Sequence, residues 1–494
     1  MSCAERTRRP ARFPLEIRAA RTPDAPALVW RGNASHPPVT ESYRELDRVT
    51  AAVAQGLHAR GVLPGERVAL RLAPGPVYPT LLLALLRAGA VAAPLSTRLP
   101  PAALPDLLRR IGCRRLIADS DSVTGKLGGL ELLNAQDLFS GAPEDPAVFT
   151  PSTFDPGADA TIVFTSGSTG SPKAALHTFE NHWSSAVGAN RNIPLRPGDR
   201  WLLSLPLWHV GGLAVVFRCL VGGAAITIAG ESEPLADAIP GLGATHVSLV
   251  ATQLYRLLRE KRGRAALLSL KAILLGGGPA PAALIEEALR LGVRLVTSYG
   301  STEMSSQATA SRPGDPREAL YTAGRPLAFR RLSIAADGEI LVRGRTLFRG
   351  YVEKTGVAPA LDGAGWFHSG DLGRLDADGR LIVLGRRDSM FISGGENVHP
   401  EEIEREILRF PGVLETIVVP VTDPEFGARP VAFLRTVDGS LPDTSALDRH
   451  LRGTLPGFKA PVRYLVWPAV DEGMKSDRRA LAVLAQGSHR TAAE

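Results

Sequence analysis

The chain contains few cysteines, and their spacing excludes two common ways of stabilising a small domain. Cys3, Cys113 and Cys219 are the only cysteines among 494 residues, and none stands in a CxxC or CxxH pattern. Such spacing supports neither a disulfide framework nor a structural zinc site. The expected location is therefore a reducing compartment, the cytoplasm.

Long hydrophobic runs are also missing. The longest apolar segment, "LLLALLRAGAVAAPL" from Leu81, is too short to cross a bilayer and carries Arg87 near its centre. Residues 1–30 contain several arginines but no continuous apolar stretch, which argues against a signal peptide. We expect no membrane span.

The charge pattern gives no sign of a nucleic-acid partner. The net charge of +7 arises from 57 basic and 50 acidic residues, and much of the excess is scattered arginine. No basic run is interleaved with aromatic residues, as surfaces that stack on bases require. We therefore read the excess charge as a solvated surface and expect no nucleic acid among the partners.

The pattern of helices and strands predicts an α/β protein of at least two domains, since single cores rarely exceed about 300 residues. Helical and strand signals alternate through the N-terminal part, which is typical of mostly parallel sheets covered by helices. Asp-Gly turns at 337–338 and 378–379 predict hairpins, in a β-barrel-like part of this domain. A composition shift near residue 385 separates residues 1–385 from a small α+β domain over 386–494.

One segment predicts a crevice. "LKAILLGGGPAPAALIEEALRLGVRLVTSYG" reads as a strand, three glycines, a helix and a second strand. Ligands of open parallel sheets bind at the carboxyl ends of the strands. We expect residues 276–278 and 299–303 to meet there.

A second segment has the composition of an anion-binding loop. "FTSGSTGSPKAAL", residues 164–176, combines glycines, short hydroxyl side chains and the single Lys173 after the apolar strand "ATIVF". It lacks the Walker A spacing. Backbone N–H groups next to glycine, with one lysine, suit a phosphate group, whereas the alternative is an ordinary surface loop.

Seven segments in the same order resemble those of the adenylate-forming acyl- and aryl-CoA synthetases. They are "TSGSTGSPK", "LPLWHVGG", "LGGGPAP", "SYGSTE", "HSGDLG", "GRRDSMFISGGENVHPEEIE" and "GMKSDR". The resemblance covers nearly the whole chain. It implies ATP, Mg²⁺ and coenzyme A as cofactor and co-substrates, a carboxylic acid as substrate, and a mobile C-terminal domain.

The resemblance also implies a role for each matching residue. The ATP phosphates would be held by Thr165, Ser166, Gly167, Ser168, Thr169, Gly170 and Lys173. Adenine would lie between Gly276, Gly277, Gly278 and Ser298, Tyr299, Gly300. Thr302 would contact the α-phosphate, Glu303 would coordinate Mg²⁺, and Asp371 would bind the ribose hydroxyls with help from Arg386. Without the resemblance, Asp371 would read as a turn residue.

The remaining roles concern the reaction and the domain movement. Lys475 would neutralise charge on the acyl carboxylate and the α-phosphate, and it counts with Thr165, His209 and Glu303 among the catalytic groups. Met474 precedes it where the family has glycine, so the alternative is a surface lysine. Asp388 would be the hinge, and Ser393, Gly394 and Gly395 would face the coenzyme A tunnel. Ordinary structural roles are expected for five further histidines, namely His177, His182, His246, His368 and His399.

The acid is indicated by the segments between these motifs. Arg218 interrupts the apolar helix "LAVVFRCLVGG", where a buried guanidinium needs a carboxylate or carbonyl partner or must reach solvent. "HTFENHWSSA", "DPEFGARPVAF" and "FKAPVRYL" resemble the o-succinylbenzoate-CoA ligase family of menaquinone biosynthesis, whose substrate is a dicarboxylate. Arg218 and His209 would then position the acid. The alternatives are another aromatic or medium-chain acid, or a non-catalytic nucleotide-binding relative, and a homo-oligomer is left open.

Overall fold

The computed structural model describes residues 12–32, 36–119, 129–140, 154–165, 172–278, 280–394, 396–468 and 478–487. The helices are α1 (Pro14–Arg21), α2 (Tyr43–Ala59), α3 (Val77–Arg87), α4 (Leu104–Arg110), α5 (Ala135–Ser140), α6 (Phe179–Asn192), α7 (Val210–Gly222), α8 (Leu235–Gly241), α9 (Ala251–Arg259), α10 (Lys261–Ser269), α11 (Ala282–Arg290), α12 (Pro400–Ile407), α13 (Thr444–Thr454) and α14 (Arg478–Gly487). Short 3-10 helices span Pro101–Ala103, Thr302–Met304, Arg317–Tyr321, Arg387–Ser389 and Gly457–Lys459.

The strands of the N-terminal part are β1 (Pro26–Trp30), β2 (Val39–Ser42), β3 (Arg67–Arg71), β4 (Val91–Pro94), β5 (Arg115–Ala118), β6 (Glu131–Asn134), β7 (Asp159–Thr165), β8 (Lys173–Thr178), β9 (Arg200–Leu202), β10 (Ala225–Ile228), β11 (His246–Leu249), β12 (Ala272–Leu275), β13 (Leu295–Ser301), β14 (Ser306–Ala310), β15 (Arg325–Pro326), β16 (Arg330–Ile334), β17 (Glu339–Gly344), β18 (Gly350–Glu353), β19 (Gly356–Ala358), β20 (Phe367–Leu375) and β21 (Leu381–Arg386). Those of the C-terminal part are β22 (Phe391–Ser393), β23 (Glu396–Val398), β24 (Val413–Asp423), β25 (Gly427–Thr436) and β26 (Arg463–Val466).

Two large sheets dominate the N-terminal part. One has the order β15-β14-β13-β12-β11-β9-β10-β1-β2, and the other has the order β19-β18-β8-β7-β4-β3-β5-β6. Their central strands are parallel. The pairs β13-β14 and β1-β2 of the first sheet and β7-β8 and β8-β18 of the second are antiparallel, whereas the edge strand β6 is parallel to β5. The hairpins at the Asp-Gly turns form a separate antiparallel sheet, β16-β17-β20-β21. The α/β prediction is confirmed.

The main hydrophobic core contains residues of both large sheets and of helices α2, α3, α6 and α7. Helices α3 and α7 are apolar over most of their length and are largely buried, whereas α2 exposes a charged face with Arg44, Glu45 and Arg48. Helix α7 shows how the sequence sets its limits: it ends at Gly223, whose φ of 76° is left-handed. Capping boxes begin α2 at Ser42 and α6 at Thr178.

The C-terminal part has its own small cores. One packs α12 and α13 on the sheet β24-β25-β26, and another packs α14 on the same strands. The predicted α+β character is confirmed, whereas the boundary at residue 385 stays a prediction. In the described ranges, no helix is long and apolar enough to span a membrane.

Candidate active site

The expected phosphate loop connects two strands of one sheet. Strand β7 ends at Thr165 and β8 begins at Lys173, and these two residues face each other in the antiparallel register. Lys173 is exposed, with its Nζ 5.1 Å from the centre of the Tyr351 ring. The five residues Ser166, Gly167, Ser168, Thr169 and Gly170 lie outside the described residues. Their contact with phosphate stays a prediction.

The carboxyl ends of β12 and β13, where a crevice is predicted, lie side by side. These strands are parallel neighbours, and Ser298 Oγ donates a hydrogen bond to the Leu275 carbonyl at 3.3 Å. A Cβ on Gly276 would lie 2.9 Å from Ser298 Oγ, and one on Gly300 would lie 1.8 Å from the Ser306 carbonyl. A side chain at residue 300 would collide with the backbone of Ser306, so the packing requires glycine there, whereas at residue 276 it would displace only the Ser298 hydroxyl group.

The turn that follows β13, residues 301–304, is called the Glu303 turn below. Glu303 Oε1 accepts a hydrogen bond from Tyr351 Oη at 2.8 Å, and Oε2 accepts one from Ser301 Oγ at 2.8 Å. Both donors are neutral, and no lysine or arginine of the described residues forms an ion pair with Glu303. A carboxylate that accepts hydrogen bonds from neutral donors has further oxygen lone pairs for a hard cation.

A buried histidine contacts the same turn from β8. His177 Nε2 lies 2.8 Å from the carbonyl oxygen of Thr302. Burial lowers the pKa of His177 to about 4, so the ring is neutral near pH 7. The adjacent His182 ring lies 4.9 Å from that of His177, centroid to centroid, and contacts Thr161 Oγ1 through Nε2 at 2.7 Å.

The expected ribose ligand belongs to a charged group of side chains, the Arg386 cluster, made of Tyr299, Asp371, Arg386 and Asp388. Arg386 Nη1 donates to Asp371 Oδ1 at 3.0 Å, and its Nε donates to Asp388 Oδ1 at 2.9 Å. Tyr299 Oη donates to Asp371 Oδ2 at 2.6 Å. Burial alone would lower the pKa of Arg386, but the pairing with Asp388 and Asp371 outweighs it and raises that pKa.

The Arg386 cluster is tied to the preceding hairpin by Glu339. The buried Glu339 carboxylate accepts hydrogen bonds from the Gly370 amide at 2.9 Å and from Arg387 at 3.0 Å. It also pairs with His368 Nδ1 at 2.9 Å. This one carboxylate therefore contacts both the part of β20 that carries Asp371 and Arg387, the residue next to the expected hinge, Asp388. Asp388 itself lies in the 3-10 turn Arg387–Ser389.

The two residues expected to position the acid belong to α7 and differ in exposure. His209 is the N-cap residue at the surface, and the protein around the ring, together with the charge of Arg98, lowers its pKa. Arg218 is 2% exposed. Its Nε donates to Asn190 Oδ1 at 3.0 Å, and its Nη1 donates to Gln307 Oε1 at 3.3 Å.

The surroundings of Arg218 contain no counter-charge in the described ranges. Its remaining contacts are the Ile193 carbonyl, 3.3 Å from Nη2, and the Trp201 ring, whose centre is 4.0 Å from Cζ. Burial lowers the pKa of Arg218 to about 9. The solvent-reaching alternative is therefore wrong, since the guanidinium is enclosed.

The C-terminal residues are only partly described. Ser393 is buried in β22, and the Gly394 amide donates to the Phe426 carbonyl at 2.9 Å. Gly394 has a φ of 59°. Gly395 and Lys475 lie outside the described residues, so the coenzyme A tunnel and the lysine remain predictions.

Three residues that form hydrogen bonds in the site are not among those predicted from the sequence, namely Tyr351, Ser301 and Glu339. Tyr351 lies 48 residues from Glu303 in the chain, and the register of β8 with β18 brings it there. A single sequence carries no signal for that pairing. Ser301, by contrast, stands two residues before Glu303, so the sequence itself indicates a local hydrogen-bond donor.

The family comparison matches both parts of the chain. The model of the AMP-binding enzyme family matches residues 15–352, and that of the AMP-binding enzyme C-terminal domain matches residues 402–473. A 2-succinylbenzoate–CoA ligase of Escherichia coli is 36% identical over 443 residues, which cover 89% of this chain and 92% of the relative.

Two solved structures from Bacillus subtilis show the same fold. o-Succinylbenzoate CoA synthetase (MenE) in complex with the acyl-adenylate intermediate OSB-AMP has a TM-score of 0.82 and 30% identity, covering 93% of this chain and 95% of that one. The same enzyme in complex with ATP and magnesium ion has a TM-score of 0.81 and 30% identity, covering 92% and 96%. With its fold, its crevice and both family domains in order, the chain belongs to the AMP-binding enzyme family.

Proposed function

We propose that this protein is an ATP-dependent o-succinylbenzoate–CoA ligase of menaquinone biosynthesis that acts in the cytoplasm. The observation that carries the proposal is near full-length similarity to 2-succinylbenzoate–CoA ligase, with 36% identity over 89% of the chain. The placement of Gly276, Ser298, Glu303 and Asp371 around one crevice supports it.

In the first half reaction, a carboxylate oxygen of the acid attacks the α-phosphorus of ATP. A P–O bond forms, the bond to the β-phosphate oxygen breaks, and pyrophosphate leaves. Lys475 would offset negative charge on the carboxylate and on the pentavalent phosphorus. Lys173 and the loop after Thr165 would hold the phosphates in line for displacement.

In the second half reaction, the sulfur of coenzyme A attacks the carbonyl carbon of the acyl-adenylate. The C–S bond forms, AMP leaves with the electron pair of the broken C–O bond, and the thiol proton passes to solvent. No enzyme nucleophile is needed, because the mixed anhydride is already activated. A rotation at Asp388 would exchange Lys475 for the side of the domain that carries Gly394.

The donor set at the Glu303 turn fits magnesium. Glu303 would hold the ion, which when bound supplies positive charge to phosphate oxygens. Ser301 and Tyr351 orient the carboxylate through neutral hydrogen bonds of 2.8 Å each. Because both donors are neutral, neither would repel a magnesium ion bound to the same carboxylate.

Arg218 supports an acid with two carboxylates. Its hydrogen-bond acceptors in the described part, on Asn190, Gln307 and Ile193, are all neutral. A buried guanidinium without a counter-charge is costly, and a second substrate carboxylate would supply that charge. The o-succinylbenzoate ring carries such a group, whereas benzoate and octanoate carry only the one that is activated.

The test is ATP–pyrophosphate exchange with o-succinylbenzoate, benzoate and octanoate. Exchange is expected with o-succinylbenzoate above the others, because only this acid has a second carboxylate for Arg218. Arg218→Leu should reduce that exchange by about tenfold or more, as loss of a buried charge partner does. Arg331→Leu, a change at an exposed arginine, is the control.

Strong exchange with benzoate or octanoate alone would establish a ligase for a different acid. No exchange with any acid, combined with intact ATP binding, would favour a non-catalytic nucleotide-binding protein. Either outcome replaces the proposal.

A further inference from the structure

Strand β8 links the expected phosphate loop to the Glu303 turn. It begins at Lys173, and His177 lies four residues further along. Because side chains alternate across a strand, these two positions share one face. Lys173 reaches the Tyr351 ring, and His177 reaches the Thr302 carbonyl at 2.8 Å. One face of β8 therefore contacts Tyr351 through Lys173 and the Glu303 turn through His177.

The bond from His177 fixes the state of its ring. A carbonyl oxygen only accepts hydrogen bonds, so Nε2 must carry the hydrogen and Nδ1 is the unprotonated nitrogen. Nδ1 is buried and makes no hydrogen bond of normal geometry in the described ranges, although the Ala175 backbone also interacts with the ring and raises its pKa. A buried acceptor without a partner is unfavourable, and an apolar residue would avoid that cost. The property that distinguishes histidine from an apolar residue at this position is therefore the hydrogen bond that its Nε2–H donates.

The turn that receives this bond has a constrained exit. Ser305 and Ser306, directly after it, have φ values of 52° and 102°, in the left-handed region that non-glycine residues rarely adopt. The Ser305 carbonyl accepts from Ser185 Oγ at 2.6 Å, and Ser305 Oγ donates to the Thr346 carbonyl at 2.9 Å. Backbone in such conformations persists where surrounding contacts determine it. His177 supplies the contact at Thr302.

We propose that His177 is a positioning residue: its Nε2–H holds the Thr302 carbonyl and so fixes Glu303 relative to Lys173. The inference rests on the proposed function, which gives the phosphates to Lys173 and the metal to Glu303. Through the adjacent backbone, His177 governs how well ATP and Mg²⁺ bind together. It touches neither of them.

Two amide variants separate positioning from packing. Glutamine places an N–H close to the position of histidine Nε2, whereas asparagine is shorter and places its N–H near Nδ1. His177→Gln should keep the bond to Thr302, and His177→Asn should lose it with similar polarity. The readout is binding of ATP by titration calorimetry at graded Mg²⁺ concentrations, without any acid, together with the melting temperature.

For His177→Asn, the Mg²⁺ concentration that gives half-maximal ATP affinity should rise about tenfold, as the loss of one aligned bond allows. For His177→Gln it should stay within about twofold of the wild type. Equal Mg²⁺ requirements for wild type and both variants would overturn the inference. So would equal shifts in both variants that simply follow a fall in melting temperature.

Different results would contradict the proposed function and the role of His177. A wild-type protein that binds no ATP at any Mg²⁺ concentration contradicts the proposed function and the inference with it. A wild-type protein that binds ATP, with an unchanged His177→Asn variant, contradicts the inference alone. If His177→Asn does not fold, His177→Met, which also lacks the N–H, takes its place and must show the same raised Mg²⁺ requirement.

Discussion

The Glu303 turn and the Arg386 cluster flank the same crevice but are held by different kinds of contact. At the Glu303 turn the donors are neutral: two hydroxyl groups donate to the Glu303 carboxylate, and His177 donates to the Thr302 carbonyl. Around Arg386 the contacts are ion pairs, and the arginine and Asp388 side chains are each 43% exposed. Neutral buried bonds depend little on salt, whereas exposed pairs are screened and gain little stability.

We infer from this difference that the Glu303 turn is a fixed part of the site, whereas the Arg386 cluster can exchange its ion-pair partners. Neutral hydrogen-bond donors suit a metal ligand, because they orient the carboxylate without placing another positive charge beside the metal ion. A hinge gains from weak, solvent-exposed pairs, because they can be broken at small cost when a domain turns. We therefore expect changes at Glu303 to affect ATP and Mg²⁺ binding, and changes near Asp388 to affect the balance between the two half reactions.

The largest effect is expected on the moving side, at Lys475. Lys475→Ala should slow acyl-adenylate formation by about 10²- to 10³-fold, the range for removal of one preorganised group that stabilises transition-state charge. Thioester formation from preformed acyl-adenylate should largely persist, because the domain has then turned. Single-turnover kinetics of each half reaction would measure both. Lys354→Ala, at an exposed lysine, is the control, and equal losses in both steps would contradict the assignment.

On the fixed side, Glu303→Gln keeps the size of the side chain and removes its charge. The Mg²⁺ concentration for half-maximal pyrophosphate exchange should rise by more than about tenfold, since a hard cation prefers carboxylate to amide oxygen. Glu353→Gln, at an exposed glutamate on β18, is the matched control. An unchanged Mg²⁺ requirement would show that Glu303 is not a metal ligand.

Asp371→Asn tests the Arg386 cluster. It should raise the KM for ATP about tenfold, because a charged acceptor for ribose is lost together with the partner of Arg386 and Tyr299. The Mg²⁺ requirement should stay as in the wild type. Asp378→Asn, at an exposed aspartate, serves as the comparison. If the Mg²⁺ requirement moves and the KM does not, the division between the two regions is wrong.

The smallest effect is expected from Tyr351→Phe. It removes one of the two hydrogen bonds to the Glu303 carboxylate and leaves the Ser301 bond intact. The loss of one such bond is about 1 kcal/mol, so the Mg²⁺ requirement should rise about fivefold. Titration of exchange activity with Mg²⁺ measures it. A change as large as that of Glu303→Gln would mean that Tyr351 contacts a ligand directly.

Much of the fold could be predicted because its signals are local. The apolar run in α7, its end at Gly223 and the strand before Gly276 are all visible in the sequence. The crevice between Gly276 and Ser298 followed from one rule, that the carboxyl ends of parallel strands share an edge.

The rest depended on contacts between distant segments. Tyr351 contacts Glu303 because β18 pairs with β8, a strand far away in the sequence. Hydrophobic periodicity reports only on neighbouring residues and gives no signal for such a pairing. His177 was expected to be an ordinary structural histidine, because a buried histidine is recognisable as a positioning residue only once its partner, the Thr302 carbonyl, is known. Arg218 was correctly singled out as unusual, but its neutral partners required coordinates.

The products of the complete reaction give the sharpest test of the proposed ligase activity. Purified protein, o-succinylbenzoate, ATP, Mg²⁺ and coenzyme A should be incubated, and the mixture analysed by liquid chromatography with mass spectrometry. We expect one o-succinylbenzoyl-CoA for each AMP and each pyrophosphate released. ADP in place of AMP, or no thioester while ATP remains bound, would contradict it.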